Sequence, residues 1–480
     1  MTPRAMKAKV DAAARYLSMD LEARRAKLLE LDPGPVPPRP DASGFARDAA
    51  AALALDPASA LLLAEAWVCA GLRAPRARYD LAREAAPIRL QEEREPIALQ
   101  SVRSIVQTER NLPRREAILA AYADSLVTLQ RPARAVVDAT RGAFEALDPA
   151  LRDALAPPVD DAREFLTATD ELWRELDRRV LRAAELDPTS LRWSDRARSL
   201  VGASFVREVP PATWAALGTD WWGRVGLGDA LRGVRDALGA SSPHGRGVYT
   251  LVDPEAGGAT LVGHPAPSAW DAAEVIGAGS LAASVARARG AWASHRRGVD
   301  RVTDAAFHAL GRRLSHERSF LQRVARLDSE TRVRVQVEAL HAELARLRWD
   351  AAMARFFREA LERAPAISAR FFEAVTSALG ASPPMSWAAH LVADAMEPGA
   401  PWGSRWGQRV EGARVEVTLR DTLRNQFNED WHRNPRAGEW LAVAIDRMRA
   451  TGAASWVERP EDLCPEAQAR RLAEDYAAAR

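Results

Sequence analysis

Eight histidines carry most of the metal chemistry this sequence can offer: His244, His264, His295, His308, His316, His341, His390 and His432. A helix that holds zinc through two imidazoles places them four residues apart on one face, with a glutamate between them as general base. No two of these histidines are four apart, and His316-Glu317 is followed by Arg-Ser-Phe. The two cysteines, Cys69 and Cys464, cannot make a metal site alone. Asp304 and His308 do stand four apart on one helix face, where they can ligate a metal or work as an acid–base pair. An ordinary hydrogen-bonded pair is the plainer reading. Val-Ile-Gly-Ala-Gly-Ser-Leu-Ala, residues 275–282, offers a dinucleotide fingerprint, with Asp300 about twenty residues further on. That motif needs a buried strand ahead of its glycines. Ser268 to Glu274 instead favour a helix already under way, so Gly277 and Gly279 read as small residues at a close helix contact. Trp402 and Trp406, in a Gly/Pro-rich loop, are candidates to line a ligand cleft or partner surface. Arg405 and Arg409 beside them are placed to meet a carboxylate.

The elements that must position these residues are almost all helical. Apolar residues recur three and four apart in Arg114–Leu129, Arg163–Ala184, Arg332–Glu362 and Arg414–Phe427. Asp-Pro and Pro-Pro turns recur at irregular spacing, which excludes a fixed-period solenoid. Pro33–Gly44 reads as a proline-rich linker. Val248–Val252 and Thr260–Val262 flank Gly257-Gly258 and read as a β-hairpin, which must pack on helices because a lone hairpin is marginal in water. Ser268 and Asp271 then form an acidic capping box that opens a helix.

These parts come in an order similar to that of the oligoendopeptidase F and thimet oligopeptidase family of zinc metallopeptidases. Arg163–Leu181 resembles the helix that opens the catalytic part, and the hairpin resembles the edge strand that pairs with substrate. WDAAEVIGAGSLA resembles the zinc helix, and RVTDAAFHAL the next helix, which carries the third ligand. Leu419–Leu441, with its Asn-Pro-Arg-Ala-Gly turn, resembles the family's C-terminal helix. The resemblance covers roughly the last two-thirds of the chain, and matching Ala278-Gly279 to the family's Ala-Gly sets its register. It puts the first His ligand at Ile276, the Glu base at Gly277, the second His at Ser280 and the third-ligand Glu at Asp304. A slip of one residue puts the helix positions at Gly277, Ala278 and Leu281, again without a ligand. The oxyanion-stabilising Tyr and His of the family's C-terminal loop have no counterpart in the stretch holding Trp402 and Trp406.

The resemblance thus implies an all-α fold with one small hairpin or sheet beside a deep cleft. Residues 1–150 form one helical wall, and residues 151–480 a degenerate metallopeptidase-like domain with its hairpin at 248–262. It implies no catalytic residues, no metal and no cofactor. Val248, Tyr249, Thr250, Leu251, His308, Trp402, Arg405 and Trp406 are the candidates to line a peptide cleft. Three functions stay open: a pseudo-peptidase that binds a peptide or protein, a hydrolase using a non-standard site in the same cleft, and a scaffold whose cleft is filled. Composition narrows the partners. All but three of the 67 basic residues are arginine, 65 acidic residues interleave with them, and the net charge is +2, so no nucleic-acid partner is expected. Paired clusters such as Arg312-Arg313 read as solvated helix faces. The most hydrophobic stretch, Ala49 to Leu72, contains Asp56, Pro57 and Glu65, so no membrane partner is expected. The N-terminus lacks the apolar core of a signal peptide, and a cytoplasmic location is expected. Oligomeric state is left open.

Overall fold

Helix starts fall where a short polar side chain precedes a proline or a small residue. Asp56, Asn111 and Asn434 each accept a hydrogen bond from a first-turn backbone amide, with proline just inside the helix, and Asp328 caps its helix in the same way. The computed structural model describes residues 2–28, 39–86, 88–90, 95–97, 99–155, 160–239, 247–252, 259–287, 302–362, 366–395, 404–456 and 464–479. Its first helices are α1 (Pro3–Leu28), α2 (Phe45–Leu53), α3 (Pro57–Glu84), α4 (Val102–Thr108), α5 (Leu112–Thr128), α6 (Gln130–Glu145) and α7 (Pro149–Leu155). Next come α8 (Asp160–Ala168), α9 (Asp170–Ala183), α10 (Trp193–Ser199), α11 (Ala203–Glu208) and α12 (Trp214–Arg224). Three strands follow: β1 (Val234–Leu238), β2 (Gly247–Val252) and β3 (Ala259–His264). The rest is helical: α13 (Ala269–Arg287), α14 (Val302–Leu314), α15 (Arg318–Arg323), α16 (Ser329–Leu361), α17 (Ile367–Leu379), α18 (Trp387–Ala395), α19 (Ser404–Phe427), α20 (Pro435–Thr451) and α21 (Pro465–Ala478). The expected all-α class with a small sheet is what the chain adopts.

Two expected elements differ in detail. The hairpin is present, with Val248 opposite Gly263 and Val252 opposite Ala259, but it belongs to a three-stranded sheet. β1 pairs with β3 in parallel, giving the order β1-β3-β2. β1 was not foreseen because VRDAL carries two charged residues and little alternation. The Gly257-Gly258 turn lies outside the described residues, as does most of the proline-rich linker. The single helix expected over Arg163–Ala184 is two helices meeting at Thr169. There the Arg348 guanidinium, from α16, hydrogen-bonds Leu166 O and Thr169 Oγ1, each at 2.8 Å. An inserted donor of this kind is a recognised cause of helix breaks.

The largest hydrophobic cluster runs from Val10 on α1 to Tyr476 on α21, so it draws on both sides of residue 150. A second cluster, built around Trp221, Trp222, Phe307 and Trp431, joins α12, α13, α14, α19 and α20. α13 lies between this cluster and the sheet. Every residue from Ala269 to Ala286 is buried except the half-buried Trp270 and Leu281. A helix that is apolar on every side has no solvent face and must be surrounded. Among the described residues, no helix is long and apolar enough to cross a membrane.

Candidate functional site

α13 opens as its sequence predicts. The Asp271 amide donates to Ser268 Oγ at 3.1 Å, and the Asp271 carboxylate accepts from the Ala266 amide at 2.8 Å. The carboxylate therefore reaches two residues beyond the usual capping box. Gly277 and Gly279 lie in mid-helix, not ahead of a helix start, which removes the dinucleotide-binding alternative. Their role is close packing. A Cβ on Gly277 would stand 2.6 Å from Arg312 Cγ, 2.7 Å from His308 O and 3.0 Å from His308 Cε1. On α14, a Cβ on Gly311 would collide with Ser280 Cβ and lie 2.8 Å from Ile276 O. On the other flank, Gly218 of α12 packs on the backbone of Ile276, where a Cβ would be 2.9 Å from its carbonyl oxygen. α13 is thus clasped between α12 and α14 through glycines, at the height where the resemblance places metal ligands.

The residues carried over from that resemblance have structural partners. Ile276 is buried in the second core cluster, and Ser280 is fully buried against Gly311. Asp304 is held by Arg449 at 2.9 Å, and the same guanidinium reaches Ser284 Oγ at 3.1 Å. Asp304 and His308 are not partners of one another, which corrects the pairing expected from their spacing. His308 turns instead toward Glu274, with Nε2 3.9 Å from its carboxylate. Among the described residues, no group of three or more His, Cys, Asp or Glu side chains is placed to hold a metal ion. Zinc, which the resemblance implies for the family, does not fit the residues present: Ile276 and Ser280 stand where its two imidazoles would be, and Asp304 is committed to Arg449.

What occupies this region is a buried ionic network centred on Glu274, one turn before Gly277. Its carboxylate lies 2.8 Å from Arg346 Nη1, 3.0 Å from Arg409 Nη2 and 3.7 Å from Arg312 Nη1. Arg312 also meets Glu343 at 3.0 Å, and Arg409 approaches Asp350 at 3.8 Å. Four helices, α13, α14, α16 and α19, are tied at one point. Burial alone would raise Glu274, but Arg346 and Arg409 overcome it and hold the carboxyl well below the usual range. Burial pushes Asp350 upward against the pull of the same arginines, and neither of its oxygens makes a hydrogen bond among the described residues. Burial also drives the His308 imidazole well below its ordinary value, so it is neutral at pH 7. Carboxylates with opposed shifts are a pattern used in acid–base chemistry. Here every member is enclosed: Asp350 is 1% exposed, and Glu274 and His308 are each 7% exposed.

The other expected site residues divide. In β2, Val248 packs toward α13, and Thr250 Oγ1 donates to Ala278 O at 3.2 Å. Tyr249 and Leu251 take their places in the strand opposite Val262 and Thr260. Trp406 is a core residue, with its ring edge-on to Phe357 at 6.1 Å. Arg405 lies in the first turn of α19, and Trp402 lies outside the described residues. Arg409 does meet a carboxylate. Arg312 and Arg313, expected on a solvated face, are 1% and 4% exposed. Glu274, Arg346, Glu343 and Asp350 were not anticipated at all. Glu343, Arg346 and Asp350 lie among many other charged residues of α16, and nothing in the sequence set them apart.

This geometry defines a helical protein whose central helix is locked by glycine contacts and buried ion pairs. No protein-family model matches the sequence, and no curated protein matches it. Solved structures do match the fold. One, described as an oligoendopeptidase F from Bacillus anthracis, has a TM-score of 0.55 at 13% identity, over 91% of this chain and 78% of that one. A second structure, also described as an oligoendopeptidase F, gives 0.52 at 14% identity, over 88% and 77%. The fold is therefore that of oligoendopeptidase F, which agrees with the resemblance read from the sequence.

Proposed function

We propose that this chain is a non-hydrolytic protein built on the oligoendopeptidase F fold, with its former catalytic helix sealed and an edge strand kept for peptide pairing. One observation carries the reading: a Cβ at Gly277 would meet Arg312 and His308 at 2.6–2.7 Å, where the family's resemblance calls for a catalytic glutamate. The loss is then a repacked helix interface, beyond the replacement of two ligands. Peptide pairing rests on β2, which among the described residues is bonded on one side only, to β3. Val248 and Thr250 fix that strand against α13. Pairing of this kind uses backbone groups and needs no metal. The occupant is an extended peptide or a protein segment. Cys69 and Cys464 are not joined in a disulfide, which suits a reducing, cytoplasmic setting.

The test is elemental analysis of the purified protein after mild chelator washing, with fluorogenic peptide assays in added zinc. Less than about a tenth of an equivalent of zinc and no turnover are expected. About one equivalent with chelator-sensitive turnover would overturn the reading. The pairing half is tested separately: a peptide that binds must lose affinity when alternate backbone nitrogens are methylated. A second reading has an observation of its own, the opposed shifts of Glu274 and Asp350, which would suit a hydrolase without zinc. Turnover that survives chelation and disappears in Asp350→Asn would establish it.

A further inference from the structure

The tryptophans of this chain are unevenly buried. Trp173, Trp214, Trp221, Trp222, Trp406 and Trp431 are at most 5% exposed. Trp270, Trp349, Trp193 and Trp387 are only half-buried, and all four rest on the main core with part of each side chain outside it. They come from four helices, α13, α16, α10 and α18. The Trp193 ring lies 6.2 Å from that of Trp349 and 5.6 Å from that of Trp387, the second contact edge-on at 85°. Tyr122 of α5, also half-buried, continues the row, 5.5 Å from Trp387 at 79°. At the other end the Arg346 guanidinium covers Trp270 at 4.0 Å, and Arg346 shares a face of α16 with Trp349, one turn further on. The row then reaches the sheet, since Trp270 and Val248 of β2 pack on the same small cluster around Phe205 and Trp214.

Part-exposed aromatic rings gathered from several helices are a common lining of ligand sites. Their rigid side chains offer large contact area at little entropic cost. The charges beside this row are already engaged. Asp195, two residues from Trp193, meets Arg115 at 2.7 Å, Glu116 accepts from Ser194 Oγ, and Arg346 meets Glu274 at 2.8 Å. Recognition here therefore falls to ring faces and edges, and the matching guest is an uncharged aromatic side chain. We propose that this row is the specificity surface of the peptide site at β2, taking aromatic residues of a bound peptide that runs on past the edge strand. The inference rests on the edge-strand reading. β2 supplies backbone hydrogen bonds that any sequence can make, and the row supplies the selection. Aromatic guests extend the edge-on packing that Trp193, Trp387 and Tyr122 already show.

The experiment selects binders to the full-length protein from a display library of random linear peptides. Selected peptides are expected to be enriched in Trp, Tyr and Phe to one side of a stretch in which methylated backbone nitrogens abolish binding. Trp193→Leu and Trp349→Leu keep an apolar side chain but lose the ring. In fluorescence anisotropy each is expected to bind a selected peptide at least about tenfold more weakly than wild type, as loss of an interface anchor does. Trp193→Phe, which keeps a ring, is expected to stay within about threefold of wild type. The enrichment is read on the wild-type protein, so the test survives if a variant does not fold. Peptides that depend on their backbone nitrogens but show no aromatic enrichment overturn this inference and leave the edge-strand reading standing, as does undiminished affinity in folded Leu variants. Binding that ignores methylation, or no binder at all, overturns both.

Discussion

Replacing Gly277 by alanine tests whether α13 and α14 meet as closely as the glycine contacts require. In an exposed helix interior, Gly→Ala stabilises by about 1 kcal/mol, because alanine loses less backbone entropy. At Gly277 the new methyl would sit 2.7 Å from His308 O and 2.6 Å from Arg312 Cγ. The carbonyl oxygen belongs to a helix backbone and cannot rotate aside, and Arg312 is anchored to Glu343 at 3.0 Å. The two helices must therefore move apart, at an overpacking cost of about 1–3 kcal/mol. Set against the propensity gain of about 1 kcal/mol, the net expectation is a loss of up to about 2 kcal/mol relative to wild type. Gly142 on α6 and Gly223 on α12 serve as internal controls, since a Cβ at either meets nothing within 4 Å. Alanine there is expected to stabilise by about 0.5–1 kcal/mol. Urea unfolding of the three variants reads the difference as opposite shifts in midpoint at unchanged slope. A Gly277→Ala protein as stable as Gly142→Ala would refute the reasoning. It would mean that the interface has room for a side chain, and with it the case for a sealed site would fall.

Restoring the four motif residues together, as Ile276→His, Gly277→Glu, Ser280→His and Asp304→Glu, is expected to yield no stoichiometric zinc in elemental analysis, since Gly277 and Ser280 face α14 backbone. Glu274→Gln leaves Arg312, Arg346 and Arg409 without their shared carboxylate and is expected to cost about 3–5 kcal/mol in denaturant titration. A loss below about 1 kcal/mol would show the network to be solvated. Acid sensitivity should begin near neutrality. Burial lowers His432 from 6.5 to about 4, so between those values the unfolded chain binds the proton and the folded chain does not. Stability is then fully present above about pH 6.5 and declines by about 3 kcal/mol as the pH falls toward 4. His308, His316 and His341 shift the same way. Urea midpoints that stay level from pH 7.5 to 4.5 would contradict this, and His432→Leu should flatten part of the slope.

The legible part of this protein was what local chemistry controls. Asp, Asn and Pro marked helix starts, the Gly-Gly flanked by Val and Thr marked the hairpin, and Ser268 with Asp271 marked the start of α13. Gly277 and Gly279 were readable as packing residues because a mid-helix glycine has a cost that close approach can repay. The charged interior was not legible. Arg312-Arg313 and the polar positions of α16 look like a solvated stripe, since sequence records periodicity on one helix and not what faces it. Burial of an arginine depends on a carboxylate from another helix, and Glu274, Glu343 and Asp475 lie on three different ones. The same limit explains Trp406. Its Gly/Pro-rich setting suggested a loop, but it lies on α19 with Phe357 of α16 against it.

The glycine clasp and the ionic network bear on a single question, how this fold is held together with no metal-binding group among its described residues. Losing a buried metal leaves polar or ionised ligands with nothing to neutralise them, and that is costly in a dry interior. Two remedies exist: replace the ligands with small and apolar residues, or supply counter-charges from neighbouring helices. Both are present within two turns of α13. Ile276, Gly277 and Ser280 bring no charge and let α12 and α14 close in. Glu274, which does carry charge, is met by three arginines from three other helices. Arginine suits that role because it stays protonated when buried and offers several donors in a fixed plane. The result holds α13, α14, α16 and α19 in one arrangement that does not depend on a bound ion. Removing any one of those arginines leaves a carboxylate short of partners, so the network is expected to fail as a unit. Double-mutant cycles between Arg346 and Arg409 should accordingly show coupling well above the few tenths of a kcal/mol typical of independent sites.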